Sequence, residues 1–286
     1  MKKFLSLLIA VSMVFAFAGC SDSNESNNQT ELQTEETTQQ EESKQSEEQN
    51  ELSQSFDKDK IIIGLDENFP PMGFRNENNE IVGFDIDLAK EAAKRMGITV
   101  EFQPINWDSK ELELDSGKVD LLWNGLTITE GRLENMLFTK PYLNNKQVIL
   151  VKNDSAITKK DDLKGKPVGV QAESSAIAAV ENDPIGQQLQ LNEYSDNILA
   201  FTDLDLGRVD AVVADEIVVK YYLENNDTNF KLLDEDFGDE QYGIAAKKGN
   251  EALVNKLQAA LDEMIADGSA AKISDNWFGS DIIVKE

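Results

Sequence analysis

The chain has 286 residues, with 54 acidic and 27 basic side chains, one cysteine and no histidine. The lack of histidine excludes a Ser-His-Asp triad and a His-ligated zinc, and a lone cysteine excludes an internal disulfide or a redox pair. The net charge of −27 opposes nucleic acid, which binds to basic surfaces. We therefore expect no nucleic-acid partner, no metal and no cofactor. A hydrophobic content of 40% is sufficient for a sizeable core.

The N-terminal segment has the features of a bacterial export signal. Two lysines precede residues 4–18, an uncharged and mostly apolar run of 15 residues that is short for a membrane span. Small residues then lead to Cys20, and this order resembles the lipobox of bacterial lipoproteins; ordinary signal cleavage is the alternative. We predict a signal peptide over residues 1–19. We also predict lipidation of Cys20, including palmitate, which anchors the protein on the extracytoplasmic face of the cell membrane.

Residues 21–56 differ in composition from the rest of the chain. They contain ten acidic residues, one lysine, no glycine and no proline. Such a segment buries too little apolar surface to offset the entropy lost on ordering. We therefore predict that residues 20–56 form a lipidated N-terminus and a disordered acidic tether with an end-to-end distance of about 30–35 Å. The remaining residues, 57–286, are acidic in their own right.

Beyond residue 60, short apolar runs alternate with helical patterns of hydrophobic residues. The predicted strands are 61–63, 98–102, 119–123, 168–170 and 211–214, and the predicted helices are 84–96, 174–180 and 216–223. Gly97 ends the first of these helices. Near the C-terminus, apolar residues recur every four positions from Leu253 to Ile265 and indicate core packing. The alternation predicts an α/β fold with mostly parallel strands.

Two tetrapeptides indicate an internal repeat. Residues 117–120, Gly-Lys-Val-Asp, and residues 207–210, Gly-Arg-Val-Asp, each link a helical pattern to a buried strand and stand 90 residues apart. Two α/β lobes of similar construction would explain this repetition.

Polar residues follow four of the predicted strands, at the ends where open α/β sheets bind ligands. These polar segments are 64–71, 124–132, 171–175 and the single residue Asp215. Thr129 suits a helix N-cap and places Arg132 in the first turn, where the helix dipole disfavours a cation. A bound anion held by the guanidinium would explain Arg132, and an ion pair with Glu130 or Glu134 would explain it equally well.

A longer motif adds a family resemblance. Residues 83–89, Gly-Phe-Asp-Ile-Asp-Leu-Ala, continue into an amphipathic helix that ends at Met96. This motif resembles the signature of bacterial extracellular solute-binding proteins of family 3, the polar amino-acid-binding proteins of ABC importers. The resemblance covers nearly all of residues 57–278. Further motifs follow in the expected order: Asp66-x-x-Phe69-x-Pro71, Thr127-x-Thr129-x-x-Arg132, Pro141-Tyr142, Leu163-x-Gly165-Lys166 and Gln241-Tyr242-Gly243-Ile244.

The resemblance implies an α/β fold of the periplasmic-binding-protein-like type II, with two lobes and a ligand in the cleft between them. Lobe 1 is predicted to comprise residues 57–146 and 242–286, and lobe 2 residues 147–241. Two crossover hinge segments then lie near residues 146–148 and 241–243.

The resemblance also implies how the two charged groups of an amino acid are bound. Arg132 corresponds to the residue that holds the ligand α-carboxylate, assisted by Thr127 and the backbone N–H of Ser175. Asp215 corresponds to the acid that pairs with the α-ammonium, with the Gly125 carbonyl and the Thr127 hydroxyl as further acceptors. Each charge would be costly alone in a dry cleft, and a zwitterion compensates both. Asp215 also suits an N-cap, and the two roles are compatible.

A second group of residues is expected around the ligand side chain. The candidates are Asp66, Phe69 and Trp107, which match side-chain contacts of the family, together with Asn124, Gln171 and Ser174 as further lining residues. Trp107 could instead be a core aromatic residue. Family members often have small residues in place of Asn124 and Glu173, so an unusual side-chain pocket is expected. Asp85 and Asp87 are interpreted as first-turn acids that complement the helix dipole.

These observations favour a lipid-anchored binding protein, expected to be monomeric, that delivers a polar L-amino acid to the permease subunits of an ABC importer. Its lobes would close on the ligand. Basic amino acids and glutamine are the leading ligands, with cystine as a further candidate. The alternative is an enzyme of the cyclohexadienyl or prephenate dehydratase type, with Glu173 as general acid. A receptor ectodomain is a further alternative, and it would need a transmembrane segment. A calcium site in the acidic run 234–239 is not expected, because this run lacks EF-hand spacing.

Overall fold

The structure is a computed structural model that describes residues 56–285. The predicted signal peptide, Cys20 and nearly all of the predicted tether lie outside the described residues. In the part of the chain that the structure describes, no helix is both long enough and apolar enough to cross a membrane. The strands are, in chain order, β1 Lys60–Leu65, β2 Asn68–Phe69, β3 Gly73–Arg75, β4 Ile81–Val82, β5 Thr99–Pro104, β6 Leu121–Leu122, β7 Met136–Phe138, β8 Leu143–Lys152, β9 Pro167–Gln171, β10 Gln190–Tyr194, β11 Ala211–Asp215, β12 Phe230–Tyr242 and β13 Ala245–Lys247.

The three helices that were predicted with both ends agree with the structure to within two residues at each end, and five further helices are present among the described residues. They are α1 Phe84–Met96, α2 Lys110–Asp115, α3 Glu130–Asn135, α4 Ser175–Glu181, α5 Asn197–Asp205, α6 Glu216–Asn225, α7 Glu251–Ala266 and α8 Ser269–Phe278, with short 3-10 helices at Trp107–Ser109, Lys160–Leu163 and Gly186–Gln188. The predicted strand 119–123 is shorter than expected, because the Val119 N–H donates to the Glu113 carbonyl of the preceding turn.

Two five-stranded sheets have the same internal arrangement. Their strand orders are β5-β1-β6-β13-β7 and β10-β9-β11-β8-β12. In each sheet the first three strands are parallel, and the last two are added antiparallel to their neighbours. The prediction of parallel strands is therefore correct for these three-stranded units, and it missed the antiparallel pair in each sheet. A third, antiparallel sheet comprises the short strands β2, β3 and β4.

The two predicted repeats occupy equivalent places in the two sheets. Residues 117–120 lead into β6 and residues 207–210 lead into β11, and each of these strands is the third member of its parallel unit. The internal repeat is therefore a repeat of sheet topology. Because both parallel units present the carboxyl ends of their strands as places for ligand-binding residues, each sheet can contribute to one site.

Helices α1 and α7 form much of the core beside the first sheet. Gly97 ends α1 in the left-handed conformation, with φ of 72°, as its position after the helical pattern predicts. Leu253, Leu257 and Leu261 of α7 are buried in the same cluster as the apolar face of α1, and Ile265 packs against that cluster. The stripe of apolar residues in α7 is thus core packing, as predicted.

The long strands β8 and β12 pair antiparallel and place polar side chains next to the end of β11. Leu143 lies opposite Tyr242, and Asn145 lies opposite Glu240. Gln147 of the same strand lies opposite Asp215. The predicted crossover segment 146–148 lies on β8, and the segment 241–243 covers the end of β12 and the residue after it. The exact lobe boundaries stay a prediction.

Candidate ligand-binding site

Arg132 is buried near the N-terminus of α3, and none of the described carboxylates forms an ion pair with it. Thr129 caps this helix as predicted, because its hydroxyl accepts a hydrogen bond from the Arg132 backbone N–H at 3.2 Å. Arg132 is 8% exposed, and its guanidinium donates to the carbonyl oxygens of Thr127 at 2.8 Å and Glu173 at 3.2 Å. Burial lowers the pKa of Arg132. Among the described residues it forms no ion pair, so the proposed pairing with Glu130 or Glu134 is wrong.

Asp215 is a buried acid at the carboxyl end of β11. One of its oxygens, Oδ1, accepts hydrogen bonds from Tyr242 Oη at 2.6 Å, Asn145 Nδ2 at 2.7 Å and Gln147 Nε2 at 3.0 Å. Asp215 occupies the N-cap position of α6, but its side chain makes no capping hydrogen bond there. The side-chain capping role is therefore wrong. Burial, followed by the charge of Glu240, raises the pKa of Asp215 well above its ordinary value.

Glu240 is a second acid beside Asp215 that sequence reasoning missed. Its Oε1 accepts from Asn145 Nδ2 at 2.6 Å, Gln147 Nε2 at 2.8 Å and Thr127 Oγ1 at 2.9 Å. Glu240 lies on β12, an antiparallel strand, whereas the polar segments singled out in the sequence follow predicted parallel strands. Its position directly before the motif that begins at Gln241 is the signal that could have identified it.

Contacts cross between the two sheets around the start of α4. Thr127 Oγ1 and Ser175 Oγ lie 3.0 Å apart, so the two residues predicted to assist at the ligand carboxylate meet, although the group predicted for Ser175 was its backbone N–H. Ser174 precedes α4 but provides no side-chain cap. Glu173 adopts the left-handed conformation, with φ of 56°, and its carbonyl oxygen accepts from Arg132. Glu173 is exposed and precedes α4.

Lys110 is a second buried cation near Arg132 that was not predicted. It is 2% exposed, and its Nζ donates to the carbonyl oxygens of Glu173 at 2.8 Å and Trp107 at 3.3 Å. Burial, and then the neighbouring charge of Arg132, lower the pKa of Lys110 to about 8. Nothing in the pattern 110–115 distinguishes this lysine from a solvated helix residue, because its burial depends on contacts that are distant in sequence.

Asp66 lies at the predicted side-chain end of the site, where it joins two other predicted residues. Its Oδ2 accepts from Gln171 Nε2 at 2.7 Å, and its backbone N–H donates to Asn124 Oδ1 at 2.6 Å. Its Oδ1 accepts from the Asn68 N–H at 2.9 Å. Burial raises the pKa of Asp66 to about 6. The structure thus brings Asp66, Asn124 and Gln171 into one hydrogen-bonded group.

The two predicted aromatic residues differ in their surroundings. Phe69 lies against the loop that carries Gly125: a Cβ on Gly125 would come within 2.9 Å of the Phe69 ring, and Gly125 has φ of 60°. Trp107 is buried in an apolar cluster with Leu114 and also lines the cavity beside Asp66. The core interpretation of Trp107 and the lining interpretation are therefore both compatible with its position.

Asp85 supports the loop of residues 124–127. Its Oδ2 accepts from the Gly125 N–H at 2.8 Å and from Tyr142 Oη at 2.9 Å. Asp85 does lie in the first turn of α1, but its side chain is buried and contacts this loop, which the dipole interpretation did not predict. Burial raises the pKa of Asp85 to about 7. Asp87 instead accepts from Trp277 Nε1 at 2.9 Å.

A cavity of about 730 Å³ opens beside Asp66, and the acidic residues that line it outnumber the basic ones. Its carboxylates are Asp66, Glu67, Asp108, Glu113 and Asp196, and its one amine belongs to Lys118. Further into the site, three buried polar atoms lack a hydrogen-bond partner within the described structure: Asn124 Nδ2, Gln147 Oε1 and Ser174 Oγ. Each such atom typically costs about 1–3 kcal/mol unless a polar group satisfies it. The site therefore favours a polar ligand.

Two similar α/β sheets, joined by long strands and enclosing buried groups of opposite charge, define a two-lobed solute-binding protein of type II architecture. The chain belongs to the bacterial extracellular solute-binding proteins, family 3, whose family model matches residues 61–280. This membership confirms the predicted fold and family. Because the family consists of binding proteins, the dehydratase alternative is not supported.

Individual relatives agree with the family assignment. The chain is 30% identical to the L-cystine-binding protein TcyJ of Escherichia coli (strain K12) over 233 residues, which cover 81% of this chain and 87% of the relative. A substrate-binding protein of an ABC uptake transporter from Streptococcus pneumoniae, solved with bound histidine, is 36% identical with a TM-score of 0.77 and covers 79% of this chain and 95% of its own. An ancestral arginine-binding protein bound to arginine is 42% identical with a TM-score of 0.73, over 78% of this chain and 99% of its own.

Proposed function

We propose that this protein binds a polar L-amino acid between its lobes, which close on the ligand, and delivers it to an ABC importer. The observation that carries this proposal is the buried Arg132, whose guanidinium donates only to carbonyl oxygens among the described residues. Burial of a cation without a counter-ion costs free energy, and burial of the Asp215 carboxylate does so as well. A zwitterion compensates both charges at once, because it carries an anion and a cation a few ångströms apart.

The α-carboxylate is assigned to Arg132 and the α-ammonium to Asp215. The Thr127 hydroxyl and the Ser175 backbone N–H assist the carboxylate, and the Gly125 carbonyl and Thr127 hydroxyl assist the ammonium. The 3.0 Å contact between Thr127 and Ser175 supports this assignment, since it joins the two sides of the cleft at the expected place. Asp85, through the Gly125 N–H, holds the loop that presents these groups.

The ligand side chain is assigned to the acidic cavity beside Asp66, which Trp107 also lines. Phe69, Asn124, Gln171 and Ser174 complete the proposed lining. An excess of carboxylates favours a cationic side chain, so L-arginine is the first candidate, followed by the other basic amino acids and glutamine. The three relatives described above bind cystine, histidine and arginine, all of them polar amino acids. Cystine therefore stays a further candidate.

The cellular setting of the proposed function follows from the sequence. A lipid anchor at Cys20 would hold the protein on the extracytoplasmic face of the membrane, and residues 21–56 would act as the tether. The permease subunits of the importer are the proposed protein partners. The protein would act as a monomer, with lobe 1 formed by residues 57–146 and 242–286 and lobe 2 by residues 147–241.

A thermal-shift screen of the purified protein against the twenty L-amino acids and cystine tests this proposal. Ligands that bind only the folded state raise the melting temperature, and L-arginine should give the largest increase. The control is the D-enantiomer of the best ligand, which cannot place all three groups of the α-carbon correctly and should give a much smaller shift. If no L-amino acid raises the melting temperature, the proposed function is wrong.

A further inference from the structure

We propose that Glu240 is a second carboxylate of the ammonium subsite, and that the incoming ammonium displaces a proton shared by Asp215 and Glu240. This inference rests on the proposed function and deepens it, because it concerns how the α-ammonium is recognised. It assigns a role to a residue of β12, directly before the second predicted crossover segment. It also makes ligand binding release a proton.

The two carboxylates are bridged by the same two side-chain amides. Asn145 Nδ2 donates to Asp215 Oδ1 at 2.7 Å and to Glu240 Oε1 at 2.6 Å. Gln147 Nε2 donates to the same two oxygens at 3.0 and 2.8 Å. Because each amide nitrogen reaches both oxygens, the two carboxylate oxygens lie side by side. Asp215 and Glu240 lie on different strands, and the register of β8, β11 and β12 brings their side chains together.

The immediate partners of this carboxylate pair are neutral. The amides of Asn145 and Gln147 and the hydroxyls of Tyr242 and Thr127 provide hydrogen bonds without positive charge. Two adjacent carboxylates in such surroundings are not both ionised at low cost, so Asp215 retains a proton beside Glu240. The raised pKa of Asp215, which burial and then Glu240 cause, agrees with this geometry.

The charged and titratable groups on the neighbouring elements do not replace that proton. These groups are Arg132 in α3, Lys146 on β8, Asp239 and Tyr242 on β12, Glu216 on α6, and Tyr142 directly before β8. The Arg132 guanidinium donates to carbonyl oxygens instead. Lys146 pairs with the exposed Asp239 at 3.0 Å. Among the described residues, neither cation therefore pairs with Asp215 or Glu240. We assign the ligand ammonium to this place.

A buried and unpartnered acceptor independently indicates a donor-rich ligand at this place. Gln147 is 0% exposed, and its Oε1 has no hydrogen-bond partner in the described part of the structure. Its Nε2, on the same amide group, already donates to both carboxylates. An ammonium has three N–H donors, enough for Asp215, Glu240 and one neutral acceptor. A ligand hydroxyl in place of the ammonium could not satisfy all three.

The proposed step balances as follows. The O–H bond of the protonated carboxyl breaks, its electron pair stays on the oxygen, and the proton passes to the buffer. The ligand ammonium enters with its own three protons and donates to both carboxylates. Up to one proton is therefore released for each ligand bound, and the apparent affinity should rise by up to tenfold per pH unit while the pair is protonated.

Calorimetric titration with L-arginine, or with the best ligand of the thermal-shift screen, tests this inference. Titrations at pH 7 in phosphate and in Tris buffer, which differ in ionisation enthalpy, give the number of protons released. Wild type should release more protons than Glu240→Gln, and its affinity should rise more steeply with pH between 6 and 8. Asp66, Asp85 and Lys110 also titrate near this range, but all three are present in each variant, so the difference reports on Glu240.

Asp239→Asn is the matched control, because it removes a neighbouring acid whose side chain is 82% exposed. It should leave proton release unchanged. Equal proton release and equal pH dependence in wild type and Glu240→Gln would overturn the inference while leaving the proposed function intact. The absence of any amino-acid binding by wild type would overturn both. If Glu240→Gln does not fold, a wild type that releases no proton still refutes the inference.

Discussion

Replacement of Arg132 should have the largest effect of any single change in the site. Arg132 is 8% exposed, and its guanidinium donates to the Thr127 and Glu173 carbonyl oxygens. In the proposed complex it forms the only ion pair with the ligand α-carboxylate. Arg132→Ala would therefore leave that carboxylate buried and without a cation, while the residues around it stay in place.

The expected magnitude follows from the burial of this charge. Removal of one partner of a buried, hydrogen-bonded charge pair typically costs about 2–5 kcal/mol. Since each 1.4 kcal/mol is roughly tenfold in affinity, Arg132→Ala should weaken binding by about 30-fold to several thousand-fold. Arg132→Lys should recover only part of the loss, because an ammonium lacks the planar pair of donors that a carboxylate accepts.

Isothermal titration of wild type, Arg132→Ala and Arg132→Lys with the best ligand measures this effect. The melting temperature should change little, since the loss of two hydrogen bonds is offset by removal of a buried cation. Arg208→Ala is the control, because Arg208 is 66% exposed and pairs with Asp203 away from the site; its affinity should equal that of wild type. An Arg132→Ala variant within threefold of wild type would show that the carboxylate binds elsewhere.

Three further changes separate specificity, anchoring and pH-dependent stability. Asp66→Ala should alter which amino acids bind in the thermal-shift screen, and an equal loss for every ligand, glycine included, would contradict the side-chain assignment. Cys20→Ser should release the protein from membranes in a fractionation assay without changing ligand affinity, and retention of the variant would argue against the lipid anchor. Asp85 has a folded pKa of about 7 against an ordinary value of 3.8, so the folded state binds more protons between these values and loses stability as pH rises through this window. In urea unfolding at pH 5 and pH 7, Asp85→Asn should therefore reduce this loss by up to about 1.4 kcal/mol per pH unit, and an unchanged loss would refute the role of Asp85.

Local sequence patterns were sufficient to predict the parallel strands β1, β5, β6, β9 and β11 and the helices α1, α4 and α6. Helix α1 begins and ends at the predicted residues because its apolar spacing is regular and Gly97 can adopt the left-handed conformation that ends it. Thr129 was likewise recognisable as an N-cap from its place before α3. These features depend on neighbours within a few positions, which a single sequence contains.

The residues that sequence reasoning missed depend on pairing between distant strands. Asn145 contacts Glu240 across 95 positions, and Gln147 contacts Asp215 across 68 positions. Neither strand β8 nor strand β12 carries a local signal for this register, because an antiparallel partner can be placed at many offsets. Lys110 was missed for the same reason, since its contact with Glu173 joins the two sides of the cleft.

A crystal structure of the protein with bound L-arginine, or with the best ligand of the screen, tests the central claim most directly. The ligand should lie between the lobes, with its α-carboxylate accepting two hydrogen bonds from the Arg132 guanidinium and its α-ammonium donating to Asp215. Its side chain should extend into the acidic cavity beside Asp66. A ligand bound outside this cleft, or one in the cleft with its carboxylate directed away from Arg132, would contradict the assignment of the site.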